Sequence, residues 1–139
     1  MATSVQCDIV SAEKSIFSGK VEQIVAAGSE GDLGIRPGHA PLITMLSPGP
    51  VRVYREGGTE EIFYVSGGFL EVQPDTISVL ADHAARARDL DEAAAEQARD
   101  EARRTLNGNA SELDHSHALA ELAMATAKLR TLHQLRGRR

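Results

Sequence analysis

The sequence predicts an α+β fold, an antiparallel β-sandwich or flattened barrel followed by an antiparallel two-helix hairpin. A change of apolar period near residue 86, the disappearance of glycine after it, and a split in charge at the same point all lead there. From Val5 to Leu80 the apolar residues fall in short Val- and Ile-rich runs, punctuated by Gly, Pro, Ser and Asp. Many short strands at nearly even spacing suit a sandwich or flattened barrel. Beyond Ala85 the glycines nearly vanish and Ala, Glu, Arg and Leu dominate, a helical composition. Residues 1–85 hold 5 Lys and Arg against 11 Asp and Glu, a net of −6, whereas 86–139 hold 10 against 9, a net of +1.

Taken in order, VQCDIV, GKVEQIVAA, PLITML, PVRVYR, EIFYVSGG, FLEVQ and TISVLA read as strands, and SGK, GSEGD, SPGP, REGG, VSGG and QPD as turns. Tyr54–Thr59 reads as a hairpin tip, with Gly57 and Gly58 supplying positive φ. Asp89, three residues before Glu92, is placed to cap the first helix. That helix runs to Leu106, where Asn107-Gly108-Asn109 offers a left-handed stop. A second helix starts near Ser111 or Asp114 and continues towards Leu135. Leu90, Ala94, Ala98, Ala102 and Leu106 share one face of the first. The second presents Leu119, Leu122, Leu129, Leu132 and Leu135, with Ala118 and Ala125 between them. The seam is thin, because each buried CH₂ contributes only about 0.8 kcal/mol. Such a hairpin leans on the sheet or on a partner.

Composition excludes several functions. The chain has 139 residues, 42% of them hydrophobic, and a net charge of −5, which gives no general reason for nucleic-acid binding. No signal peptide is expected from MATSVQCDIV and no stretch of 18 apolar residues occurs, so membrane association is expected only through partners. Cys7 alternates with Val5 and Ile9 on one strand face and reads as a buried hydrophobe rather than a nucleophile. His115 and His117 stand two apart, which points them to different sides of a helix, so no metal site is expected. No P-loop, dinucleotide or nucleophile-elbow spacing occurs, and the chain is expected to be neither an enzyme on its own nor a holder of a cofactor.

The stretch GDLGIRPGHAPL, Gly31–Leu42, gathers glycines and prolines around Asp32, Arg36 and His39. With SAEKSIFSG at 11–19, GSEGDLGIRPGHAPL at 28–42, VSGGFLEVQPDTISVLAD at 65–82 and DLDEAAA at 89–95, the sequence resembles, nearly end to end, the epsilon subunits of bacterial F-type ATP synthases. The resemblance implies a ten-stranded sandwich over 1–85 that binds the central stalk and c-ring, and a regulatory hairpin over 86–139. It implies a non-catalytic rotor subunit of the proton-translocating enzyme, peripheral on the cytoplasmic face of the bacterial plasma membrane and monomeric when isolated. Its partners would be the gamma subunit, the c-ring and, in an inhibited state, the alpha and beta catalytic subunits. The contact to gamma and the c-ring maps onto Glu30, Gly31, Asp32, His39 and Leu42.

The hairpin is expected to fold down on the sandwich in one state and, in another, to extend along gamma and block ATP hydrolysis. Lys128, Arg130, Arg136, Arg138 and Arg139 are expected to engage acidic surfaces of a catalytic subunit. Some members bind ATP through (I/L)DxxRA; here the arginine position is Ala94. Losing that guanidinium removes charge-assisted bonds worth about 1.5–3 kcal/mol. Asp91 and Arg99 are left as weak nucleotide contacts. Two further readings, a β-sandwich adaptor for unrelated partners and a stand-alone enzyme, lack comparable motifs.

Overall fold

The computed structural model describes residues 3–109 and 111–137. Nine strands precede two helices: β1 (Val5–Ser11), β2 (Ser15–Val21), β3 (Gln23–Gly28), β4 (Gly31–Ile35), β5 (Leu42–Tyr54), β6 (Glu60–Val65), β7 (Gly68–Val72), β8 (Thr76–Ala81), β9 (Ala84–Arg86), then α1 (Glu92–Leu106) and α2 (Glu112–Arg136). The pairing order is β2-β1-β8-β7-β5-β3-β4, with β6 between β5 and β9. All pairings are antiparallel except β1 with β8, which is parallel.

The described residues give nine strands rather than ten, and PLITML and PVRVYR join into one 13-residue strand. The first part of β5, Leu42–Leu46, pairs with β7, and the second, Gly49–Tyr54, pairs with β6. One strand thus serves both parts of the sheet and changes partner around Ser47 and Pro48. Proline, lacking an N–H, suits such a break in the ladder. Two expected turns, SGK and SPGP, are strand instead. Ser18-Gly19-Lys20 lies inside β2, in register with Asp8, Cys7 and Gln6, and GKVEQIVAA is divided at Glu22 between β2 and β3. Cross-strand pairing outweighs the turn preference of Ser and Gly there. The Tyr54–Thr59 tip is a single 3₁₀ turn, Glu56–Gly58, with φ of 85° at Gly57 and 83° at Gly58.

The core belongs to the sheet alone. Cys7, Ile9, Ile24, Val53, Phe63, Leu70 and Val79 are fully inaccessible at its centre, and no helical residue joins the cluster. Phe17 meets Phe63 edge-on at 5.6 Å, a favoured aromatic geometry. Arg55 and Arg86 cover those two rings at 5.5 and 5.4 Å.

The hairpin packs thinly, as the composition suggests. Buried positions are Ala95 and Ala102 on α1, and Ala118, Ala125, Ala127, Thr131 and Leu132 on α2. Ala95 rather than Ala94 enters the seam, and Leu119 is 49% exposed. The α1 cap is Asp91, not Asp89: its carboxylate accepts from Ala94 N–H at 3.1 Å. Asp89 instead ends a 3₁₀ turn, Ala87–Asp89. Ser111 caps α2 by accepting from Asp114 N–H at 3.1 Å. No left-handed residue stops α1; Asn107 stays right-handed at φ −87° and ψ −4°, and Gly108 is not among the positive-φ glycines.

Candidate functional site

The β3–β4 hairpin presents Glu30, Gly31 and Asp32 at its tip. Gly31 takes φ of 127°, a conformation costly for any residue with a Cβ. Glu30 and Asp32 are exposed. Asp32 lies 3.7 Å from the half-buried Arg52, an exposed pair that contributes little. His39 stands at the other end of β4, in the loop 36–41, where its amide donates to Arg36 C=O at 3.1 Å and its Nδ1 lies 2.7 Å from Ala40 O. At about 3.3 Å per residue, β4 carries the chain roughly 13 Å from Gly31 to Ile35. The tip and the His39 loop are therefore two separate features. Leu42 opens β5 and is half-buried against the core.

A third surface was not singled out from the sequence. Met45, Phe69 and Leu80 stand side by side on β5, β7 and β8, since Met45 pairs with Phe69 and Phe69 with Leu80. Val10 of β1 continues the row opposite Leu80. These side chains point away from the core, and Met45 is 61% exposed, Phe69 48%, Leu80 47% and neighbouring Ile43 68%. An apolar row on an uncovered sheet face is a candidate protein-contact surface. The signal was in PLITML, where apolar side chains occupy both faces of a strand expected to have a polar outer face.

The helices cover a different part of the sheet. α2 packs on β5 and β6, and β6 is consequently buried on both faces: Phe63 and Val65 in the core, Ile62 and Tyr64 on the opposite side. Lys128 Nζ sits 5.5 Å from the centre of the Tyr64 ring, a cation–π arrangement. Arg130 lies over Gly49, where an added Cβ would meet its Nη2 at 2.6 Å and Ala27 Cβ at 3.0 Å. Arg136 pairs with Glu92 and so ties the last turn of α2 to the first turn of α1. The three described cations of the expected regulatory set are thus held within the folded-down chain; Arg138 and Arg139 lie outside the described residues. Burial pushes the Tyr64 hydroxyl up to about 12, with the nearby Glu121 carboxylate adding to it.

Asp91 and Arg99 are not brought together as a nucleotide site. Asp91 lines a cleft of about 360 Å³ between the helices beside Asp89, Glu121 and Lys128, but its carboxylate is committed to capping α1. Arg99 does not line that cleft and turns to Asp100 at 3.2 Å. Three carboxylates against one ammonium repel a polyphosphate. Ala94 also lines the cleft, and a guanidinium is missing where a phosphate would need it. Cys7 is fully buried, and its thiol is pushed up to about 12, mainly by burial and secondarily by Asp8, the condition of an inert cysteine. Among the described residues no group of three or more His, Cys, Asp or Glu is arranged to hold a metal ion, and no helix is long and apolar enough to cross a membrane.

The fold is shared with subunits of mitochondrial ATP synthases. A chain of the Euglena gracilis OSCP/F1/c-ring assembly superposes with a TM-score of 0.87 at 22% identity, over 96% of this chain and 84% of that one. A chain of the Tetrahymena thermophila central stalk and c-ring superposes at 0.60 and 14% identity, over 92% and 96%. Residues 4–87 match the model of the ATP synthase delta/epsilon chain β-sandwich domain, and residues 88–132 that of its long α-helix domain. The ATP synthase epsilon chain of Chromohalobacter salexigens is 68% identical over 133 residues, covering 96% of this chain and 94% of that one. Two family models that together span nearly the whole chain, and a bacterial relative this similar along its length, establish that the chain belongs to the epsilon-chain family of the F-type ATP synthase.

Proposed function

We propose that the chain works as a non-catalytic rotor subunit, its sandwich joining the gamma subunit to the c-ring and its hairpin restraining ATP hydrolysis. The observation that carries this reading is the division of the surface into two unlike contacts. The Met45–Phe69–Leu80 row lies on paired strands and is apolar and uncovered, which fits a permanent apolar partner; we assign it to gamma. The Glu30–Asp32 tip and the His39 loop are polar and exposed, which fits the hydrated loops of a ring of c subunits. Electrostatic complementarity there sets orientation more than affinity.

The regulatory half of the proposal rests on the thin hairpin. Residues 1–85 carry the core, so 86–139 can leave it without exposing the sandwich interior. On release, Lys128, Arg130 and Arg136, with Arg138 and Arg139 beyond them, are presented to acidic surfaces of alpha and beta. ATP is at most a weak ligand, with a dissociation constant no tighter than roughly millimolar, about −4 kcal/mol. The enzyme's membrane sector would hold the chain at the cytoplasmic face of the bacterial plasma membrane. Co-elution with purified gamma tests the central assignment: the full chain and a version ending at Arg86 are both expected to co-elute. Loss of binding on truncation would move the gamma contact to the hairpin.

A further inference from the structure

The seat of α2 on the sheet is unusual in how it is held. The ion pairs Arg136–Glu92, His117–Glu121 and Arg99–Asp100 lie within the hairpin. Lys128 rests on an aromatic face and Arg130 over a glycine backbone. Two buried polar atoms, Tyr64 Oη and Gln134 Oε1, have no hydrogen-bond partner among the described residues. Tyr64 is only 3% exposed, and Gln134 lies on α2 two turns beyond Ala127. A buried unpaired polar atom opposes the state that buries it.

We propose that Tyr64 is the latch of the hairpin: its ring holds Lys128 while its stranded hydroxyl keeps the hold weak, so Lys128 and Arg130 rest on a ring and a glycine backbone. The idea rests on the reading that the hairpin leaves the sandwich. Release returns the Tyr64 hydroxyl and the Gln134 amide to water and frees Lys128 and Arg130 from the ring and the glycine backbone beneath them. An acidic protein surface then offers both cations what the sheet does not, a carboxylate partner. Docking and engagement compete for the same two side chains.

The full chain carrying Ala127→Cys tests this. Ala127 is buried in α2, and Cys7 is inaccessible, so a soluble thiol reagent reports release of the seat. Adding Tyr64→Phe, which keeps the ring and removes the hydroxyl, is expected to slow modification by roughly tenfold. Adding Lys128→Met, which keeps the stem and removes the charge, is expected to speed it several-fold. Modification as fast or faster with Tyr64→Phe would overturn the latch. Hydrolysis by the assembled complex separates the two ideas: slowed modification with an unchanged ATPase rate would leave the latch standing and overturn the brake.

Discussion

Replacing Phe69 by alanine is the sharpest probe of the apolar row. Phe69 is 48% exposed and its side chain lies outside the core cluster, so the substitution leaves the sandwich intact. An aromatic side chain buries about 150–250 Å² when fully covered. The half that Phe69 leaves in water therefore offers roughly 100 Å² to a partner. At about 25 cal/mol per Å², covering it contributes about 2.5 kcal/mol, close to a 70-fold change in dissociation constant. Met45 and Leu80 flank it in register, so under the proposed assignment the ring would sit in gamma closed off from solvent, as hot-spot residues are. Titration of gamma with wild-type and Phe69→Ala chains by calorimetry measures the difference, and thermal unfolding of each chain alone controls for stability. A change of less than twofold, with both chains equally stable, would mean that the row is not the contact.

Other expectations follow from individual contacts. Gly68 holds φ of 132°, and a Cβ there would overlap Leu80 O and crowd Ala81 Cα; Gly68→Ala is expected to lower stability by about 2–4 kcal/mol, read as a fall in Tm. Cys7 and Tyr64 both keep their protons in the folded chain up to about 12, while in the unfolded chain they ionise near their ordinary values of 9.0 and 10.0. Their contribution is therefore complete below pH 9 and is lost between about 9 and 12, as the unfolded chain sheds protons that the folded one retains. Urea titrations across that range are expected to show falling stability, with the onset moved upward in Cys7→Ala. Reversing Arg130 and Arg136 to glutamate is expected to relieve inhibition of hydrolysis while the complex still assembles; an undiminished brake would contradict the role given to those cations. Calorimetry of the isolated chain with ATP is expected to detect no binding tighter than millimolar, and a micromolar constant would refute the reading of Ala94 and the acidic cleft.

How much of this was legible beforehand depended on the range of the interactions involved. The two helices, the Glu56–Gly58 tip and the aliphatic core announce themselves through local period and local turn chemistry. The continuous run of β5 does not, because the feature that joins Leu42–Leu46 to Gly49–Tyr54 is pairing with β7 and then β6, both distant in sequence. Ser18-Gly19-Lys20 became strand for the same reason. Asp91 rather than Asp89 caps α1 because the chain takes a 3₁₀ turn at Ala87–Asp89 first, a detail that composition does not encode. At the surface, Glu30, Asp32 and His39 stand out as polar residues among glycines and prolines. The Met45–Phe69–Leu80 row was hidden, since each member looks like core until the sheet shows that its face is uncovered. Lys128 and Arg130 looked like free cations until Tyr64 and Gly49 were found beneath them.

The whole account depends on a self-sufficient sheet carrying a hairpin that can depart from it. Measuring ATP hydrolysis by the assembled complex, with the chain either complete or ending at Arg86, tests that most directly. A higher rate with the shortened chain, at undiminished assembly, is the expected result. Equal rates, or a shortened chain that no longer assembles, would contradict it.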